Sequence, residues 1–173
     1  DDDEPFSDVR ANVLKQIAFV ENDRSDLLVL SGDLTMADAS RQGCAWLRSV
    51  LPDMPTVVIP GNHDDPQMLW QVFGPERCIS EGFYFVLKQD GCDLVFLNTC
   101  TDRLPDEQMQ FLSAFDTDQL AVLFMHHPPD SISEGFMFQN QCLENHADVA
   151  AILQQSLIDH VFCGHYHNRM DKQ

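Results

Sequence analysis

The chain has 173 residues, 44% of them hydrophobic, which is room for one domain of ordinary size around a buried core. Its 28 acidic residues outnumber 10 basic ones, and the net charge of −18 repels polyphosphate backbones and anionic bilayers, arguing against nucleic-acid polymers and membrane surfaces as partners. No apolar run approaches a bilayer span, the acidic start Asp1-Asp2-Asp3-Glu4 is unlike a signal peptide's positive leader, and six cysteines without a Cys-x-x-Cys pair predict mostly buried, reduced thiols in a cytoplasmic protein.

Helix-like and strand-like segments alternate along the chain. Ser7 is placed to cap a helix running toward Glu21, with Val9, Val13, Ile17 and Val20 on one face. Leu27–Leu30 is a continuous apolar run, the mark of a strand buried on both faces. Asp38–Leu51 reads as a helix ended by Pro52, and Thr56–Ile59 as a strand stopped by Pro60-Gly61. Phe83–Lys88 and Asp93–Asn98 form a hairpin pattern around Asp90-Gly91. Asp106–Phe115 is helical, Leu120–Met125 a strand, His146–Gln155 a helix, and Ile158–Cys163 a final strand. Strands separated by helices predict a layered α/β domain over residues 1–173, and the hairpin makes its sheets mixed.

Four of the strands run directly into polar clusters. Leu27–Leu30 leads to Ser31-Gly32-Asp33, Thr56–Ile59 to Pro60-Gly61-Asn62-His63-Asp64-Asp65, Leu120–Met125 to His126-His127-Pro128-Pro129, and Ile158–Cys163 to Gly164-His165-Tyr166-His167. In α/β sheets ligands collect beyond the carboxyl ends of the strands, where neighbouring loops meet. A carboxylate, an amide oxygen and several imidazoles make a mixed oxygen and nitrogen donor set, which suits Mn, Fe, Zn or Co better than Mg or Ca. Asp33 has two oxygens and can bridge two ions. A pair of ions roughly 3.5–4 Å apart lowers the pKa of a shared water and clamps the oxygens of an in-line displacement at phosphorus. Such ions also cancel the repulsion that so acidic a chain offers a phosphate.

These motifs, in this order, resemble those of the calcineurin-like metallophosphoesterases, and within them the class III cyclic-nucleotide phosphodiesterase branch (CpdA-like). The resemblance runs from about the first helix to Asn168, and Asn145-His146-Ala147-Asp148 adds to it. It implies an αββα sandwich with mixed sheets and a metal-dependent phosphodiesterase using two divalent transition-metal ions, Mn or Fe first, Zn or Co as alternatives. By the same resemblance Asp33 bridges both ions, Asn62, His126 and His165 complete one shell, and His167 serves the other. His63 and Asn62 are then the catalytic residues, His63 steadying phosphoryl oxygens or assisting the leaving alkoxide. The implied reaction is attack of metal-bound hydroxide on a small phosphodiester such as cyclic AMP. A phosphomonoesterase or nucleotidase on the same core, and a non-enzymatic metal-binding scaffold that lost one ion, are the alternatives.

Three features depart from that pattern. No histidine precedes His63, so the Asp-x-His motif that opens the family is absent, and the second ion keeps only Asp33 and His167, too few for a tight site. The residues after His167 are too few for the further strands of the family, and Thr101–Leu104 contains no glycine. The expectation is a chain incomplete at both ends, with an Asp-x-His upstream of Asp1. Among the remaining candidates, His127 is read as a supporting residue behind the ligands or as structural, His146 as a helix-surface residue, His160 as core or sheet edge, and Asp64 and Asp65 as orienting His63 or, the favoured reading, capping a following helix.

Overall fold

The computed structural model describes residues 9–35, 40–130 and 142–166. In chain order the elements are α1 (Val9–Asn22), β1 (Leu28–Leu30), α2 (Arg41–Val50), β2 (Thr56–Val58), α3 (Pro66–Phe73), α4 (Pro75–Cys78), β3 (Phe85–Gln89), β4 (Cys92–Phe96), α5 (Asp106–Ser113), β5 (Leu120–Met125), α6 (His146–Leu153) and β6 (His160–Cys163). β1 and β2 form a parallel pair, with Val29 opposite Val57. The second sheet has the order β3-β4-β5-β6; the β3–β4 hairpin is antiparallel, and β4, β5 and β6 run parallel to one another. The expected mixed α/β architecture is what the chain forms.

The period-2 alternation of strand side chains sorts the core into three layers. On β2, Val57 and the following Ile59 face the other sheet while Val58 faces the helices. On β4 and β5, Leu94, Phe96 and Phe124 join the layer between the sheets, and Val95, Leu123 and Met125 turn to the opposite side. The outer layer on one side is built with α2 and α3, through Cys44, Leu47, Met68, Leu69, Val72 and Phe73. On the other side α5 and α6 contribute Leu112 and Val149. The result is helix, sheet, sheet, helix. Along the four-stranded sheet Phe85, Phe96, Phe124 and Phe162 stack in a row, with centroids 4.7, 5.2 and 5.5 Å apart.

Several elements differ from the sequence expectation. The cap assigned to Ser7 lies outside the described residues, and on α1 Ile17 is buried whereas Val9 is exposed. α2 starts at Arg41 because the Ser40 side chain caps it by accepting from the Gly43 amide. Between Asp65 and Phe83, where the sequence reading bounds no element, Asp65 caps α3, Pro66 starts it and Gly74 ends it at φ 79°. β1 is half-buried rather than buried on both faces, because it pairs on one side only among the described residues. β6 is largely exposed for the same reason: it pairs with β5 alone, leaving His160 and Phe162 at the surface. The six cysteines are not joined in disulfides; Cys44 and Cys78 are buried and the other four half-buried. No helix among the described residues is long and apolar enough to cross a membrane.

Candidate metal centre

Parallel pairing aligns the carboxyl ends of β1 and β2, and of β4, β5 and β6, so the loops leaving them gather at one end of the sandwich. From β1 the chain turns through Gly32 (φ 99°) and Asp33 (φ 53°). A left-handed backbone costs a non-glycine residue about 1–3 kcal/mol and persists only where its surroundings impose it. Here they do. The His63 amide donates to Asp33 Oδ1 (3.1 Å), and the His126 imidazole Nε2 lies 3.2 Å from Asp33 Oδ2. Gly61 passes so close that a Cβ on it would fall 2.5 Å from the Asp33 nitrogen and 2.7 Å from the His126 ring. Only glycine lets the two loops approach this far.

The two loops are tied together by Asp64. Its carboxylate accepts from the amides of Leu34 (3.2 Å), Thr35 (3.2 Å) and Gly61 (2.9 Å) and from the Thr35 hydroxyl (3.2 Å). Thr35 Oγ1 also lies 3.1 Å from the His63 carbonyl, so its one proton is shared between that carbonyl and Asp64 Oδ1. The favoured reading that both aspartates cap a helix holds for Asp65, which caps α3 through the amides of Gln67 and Met68, and is corrected for Asp64, which clamps the β1 and β2 loops. Sequence adjacency conceals this division, because the Leu34 and Thr35 donors to Asp64 lie about thirty residues upstream.

The imidazoles come from the other sheet. His126, fully buried at the end of β5, sets Nδ1 2.8 Å from the Ser31 carbonyl. That carbonyl can only accept, so Nδ1 carries a proton, and Nε2 is turned toward Asp33 Oδ2 and His165 Nδ1, each 3.2 Å away. The Gly164 amide donates to the His126 carbonyl, extending the β5–β6 ladder as far as His165, which itself sits at φ 69°. His126, His127 and His165 bring one ring nitrogen each within 4.8 Å of one another.

Electrostatics separate the two sides. Burial works to raise the Asp33 pKa, but the bond to His126, the His63 amide and the charge of both imidazoles outweigh it and hold the carboxyl down to about 2. The His127 pKa also falls, which for a histidine favours the neutral form: burial first, then the neighbouring His126 and His165, lower it to about 4. Near neutral pH the centre thus presents an anionic carboxylate beside an uncharged His127 ring.

Of the residues singled out in the sequence, Asp33, His126 and His165 are in direct mutual contact through His126. Asn62 follows Gly61 and precedes His63, both of which touch Asp33, and its carbonyl oxygen Oδ1 is buried without a hydrogen-bond partner among the described residues. A buried orphan acceptor is costly unless something binds it. A divalent cation is the ligand that an orphan amide oxygen, a carboxylate and imidazole lone pairs fit together. His63 is exposed, and His167 lies outside the described residues. Two residues that the sequence reading did not single out also reach the centre, Thr99 and Asp102 in the loop after β4, both in contact with His127.

The sequence pattern described as calcineurin-like phosphoesterase matches residues 6–169. A probable cyclic nucleotide phosphodiesterase of Fibrobacter succinogenes is 33% identical over 172 residues, 96% of this chain and 67% of its own length. A glycerophosphodiester phosphodiesterase, GpdQ, of Enterobacter lignolyticus is 27% identical over 185 residues, covering 94% of this chain and 64% of its own. The chain thus spans about two thirds of the length of these relatives. Among solved structures, a dimetal phosphatase from Danio rerio superposes with a TM-score of 0.75 over 90% of this chain and 71% of its own, at 13% identity, a likeness of fold.

Proposed function

The chain belongs to the calcineurin-like phosphoesterase family, and from that membership we propose that it is a metal-dependent phosphodiesterase with cyclic nucleotides as its favoured substrate class. The observation that carries this reading is the run of 3.2 Å contacts from Asp33 through His126 to His165, beside the partnerless oxygen of Asn62. We assign one ion to Asp33, Asn62, His126 and His165, and a second to Asp33 with His167 and ligands beyond these; the mixed donor set suits Mn, Fe, Zn or Co, with Mn or Fe first by the family resemblance. Divalent ions bound there supply Lewis-acid polarisation of phosphoryl oxygens and a more acidic water.

The chain's own residues do the rest. Asp33 is ionised at any physiological pH, and its Oδ1 is oriented by the His63 amide. His126 is fixed in one tautomer by the Ser31 carbonyl, so its Nε2 lone pair stays available. His63, exposed beside the carboxylate that its amide holds, is placed to bond a phosphoryl oxygen or to give a proton to the leaving alkoxide. With a net charge of −18, the protein attracts an anionic substrate only where cations offset that charge.

The test loads the full-length protein with Mn and follows bis(p-nitrophenyl) phosphate hydrolysis. The expected result is turnover that falls at least about a hundredfold in Asp33→Ala and in Asn62→Ala, the scale set by losing electrostatic stabilisation of a transition state. Ion binding without turnover favours a scaffold and contradicts the proposal. The relatives named as glycerophosphodiester phosphodiesterases favour a second phosphodiester class. Cyclic AMP, a glycerophosphodiester and a phosphomonoester assayed side by side separate the substrates.

A further inference from the structure

The backbone around His165 is not regular structure: the residue follows Gly164, lies past the end of β6 and has a left-handed φ of 69°. Its ring direction is therefore set by neighbours. Among the described residues the nearest ring is that of His127, tilted at 47° with centroids 4.4 Å apart, closer than the 5.2 Å to His126.

His127 is itself fixed with unusual completeness. Its backbone amide donates to Thr99 Oγ1 (3.1 Å), and its Nδ1 lies 3.0 Å from the same hydroxyl. The Asp102 carboxylate beside Nε2 can only accept, which favours the ring proton on that nitrogen and leaves Nδ1 to accept from the Thr99 hydroxyl. The ring proton then sits on Nε2, where Asp102 Oδ1 is 2.9 Å away but off the N–H axis, so that Nε2 has an anionic neighbour without an aligned hydrogen bond. Thr99 and His127 are both fully buried. The loop carrying Asp102 is braced in turn. The Asp102 amide donates to the Thr99 carbonyl (3.0 Å), the Glu144 amide donates to the Asp102 carbonyl (2.8 Å), and the buried Asn145 side chain bonds both backbone groups of Leu104.

We propose that His127, held by Thr99 and Asp102, is a positioning residue that sets the orientation of His165 toward a bound cation. The β4 loop thereby acts on the centre without supplying a ligand. This rests on the reading of His165 as a ligand, and the experiment separates the two.

Mn²⁺ affinity of the full-length protein is measured by equilibrium dialysis. Thr99→Val, which keeps the volume and removes the hydroxyl, is expected to weaken binding about tenfold, the lower end for loss of a group that orients a ligand. Thr99→Ser, which restores the hydroxyl, is expected to recover it, and Asp102→Asn to weaken binding less. On a His165→Ala background, Thr99→Val is expected to change affinity no further, although any loss of thermal stability persists; a merely structural role would show the same affinity loss on both backgrounds. Unchanged affinity in His165→Ala overturns the ligand reading and this inference with it. Weakened binding in His165→Ala with unchanged binding in Thr99→Val overturns the inference alone.

Discussion

The two sheets bring opposite kinds of donor to the centre and hold them by opposite means. The two-stranded sheet delivers oxygen, Asp33 and Asn62, on half-buried loops bound together by one carboxylate, Asp64, which gathers backbone amides. The four-stranded sheet delivers nitrogen, His126 and His165, on a buried wall fixed by the Ser31 carbonyl, the Thr99 hydroxyl and ring packing. The oxygen half is charged, and its geometry depends on donors from the main chain. The nitrogen half is uncharged at His127, and its geometry depends on tautomer and packing. A centre built this way is only as well formed as the seam between the sheets, where Val57, Ile59 and Phe96 are buried.

Breaking the seam is expected to have the largest effect. Phe96→Ala removes a fully buried ring that stacks on both Phe85 and Phe124, and should cost about 3–5 kcal/mol in chemical denaturation. It separates the two halves without touching either, so Mn²⁺ binding should fall with stability. Releasing the oxygen half alone is next. Asp64→Ala leaves the amides of Leu34, Thr35 and Gly61 without their acceptor and should cost roughly 2–4 kcal/mol, with Asp64→Asn regaining part of it. Its neighbour is the control: Asp65→Ala removes only a helix cap, about 1 kcal/mol, and should leave ion affinity unchanged.

The smallest effects are in the pH dependence of the ion-free protein. Asp33 is held down to about 2 when folded, so its contribution to stability is present above the ordinary carboxylate pKa near 3.8 and is lost as pH falls toward 2. Cys78 behaves inversely: burial pushes its thiol up to about 12 from 9.0, so its contribution is present below pH 9 and is lost as pH rises toward 12. Asp33→Asn should flatten the acid limb of the denaturation midpoint, and Cys78→Ala the alkaline limb. A limb unchanged by its substitution contradicts the corresponding assignment.

The strand-to-loop junctions are legible in the sequence because an apolar run ending in Gly-Asp, Gly-Asn-His or His-His has a physical meaning that survives without coordinates. The strands β2 and β5 and the hairpin emerge near their expected bounds for the same reason. Burial of β6 is only partly legible: Ile158–Cys163 carries Asp159 and His160 where Leu120–Met125 is wholly apolar, and the pairing shows that one lies at an edge and the other inside. The short α3 and α4 escape a periodicity reading because Pro66, Gly74 and Pro75 leave too few residues for a helical period to register. Thr99 and Asp102 escape it because a hydroxyl and an acid in a loop are ordinary, and their link to His127 spans more than twenty residues. Sequence proximity likewise merges Asp64 with Asp65, which tertiary contacts divide between clamping and capping.

The most direct test of the shared centre is anomalous diffraction from crystals of the full-length protein loaded with Mn²⁺. The expected result is a peak roughly 2.0–2.3 Å from the Asp33 carboxylate, Asn62 Oδ1, His126 Nε2 and a His165 ring nitrogen at once. A peak bound by either sheet's residues alone, or elsewhere on this acidic surface with Asn62 Oδ1 still unpartnered, contradicts the account.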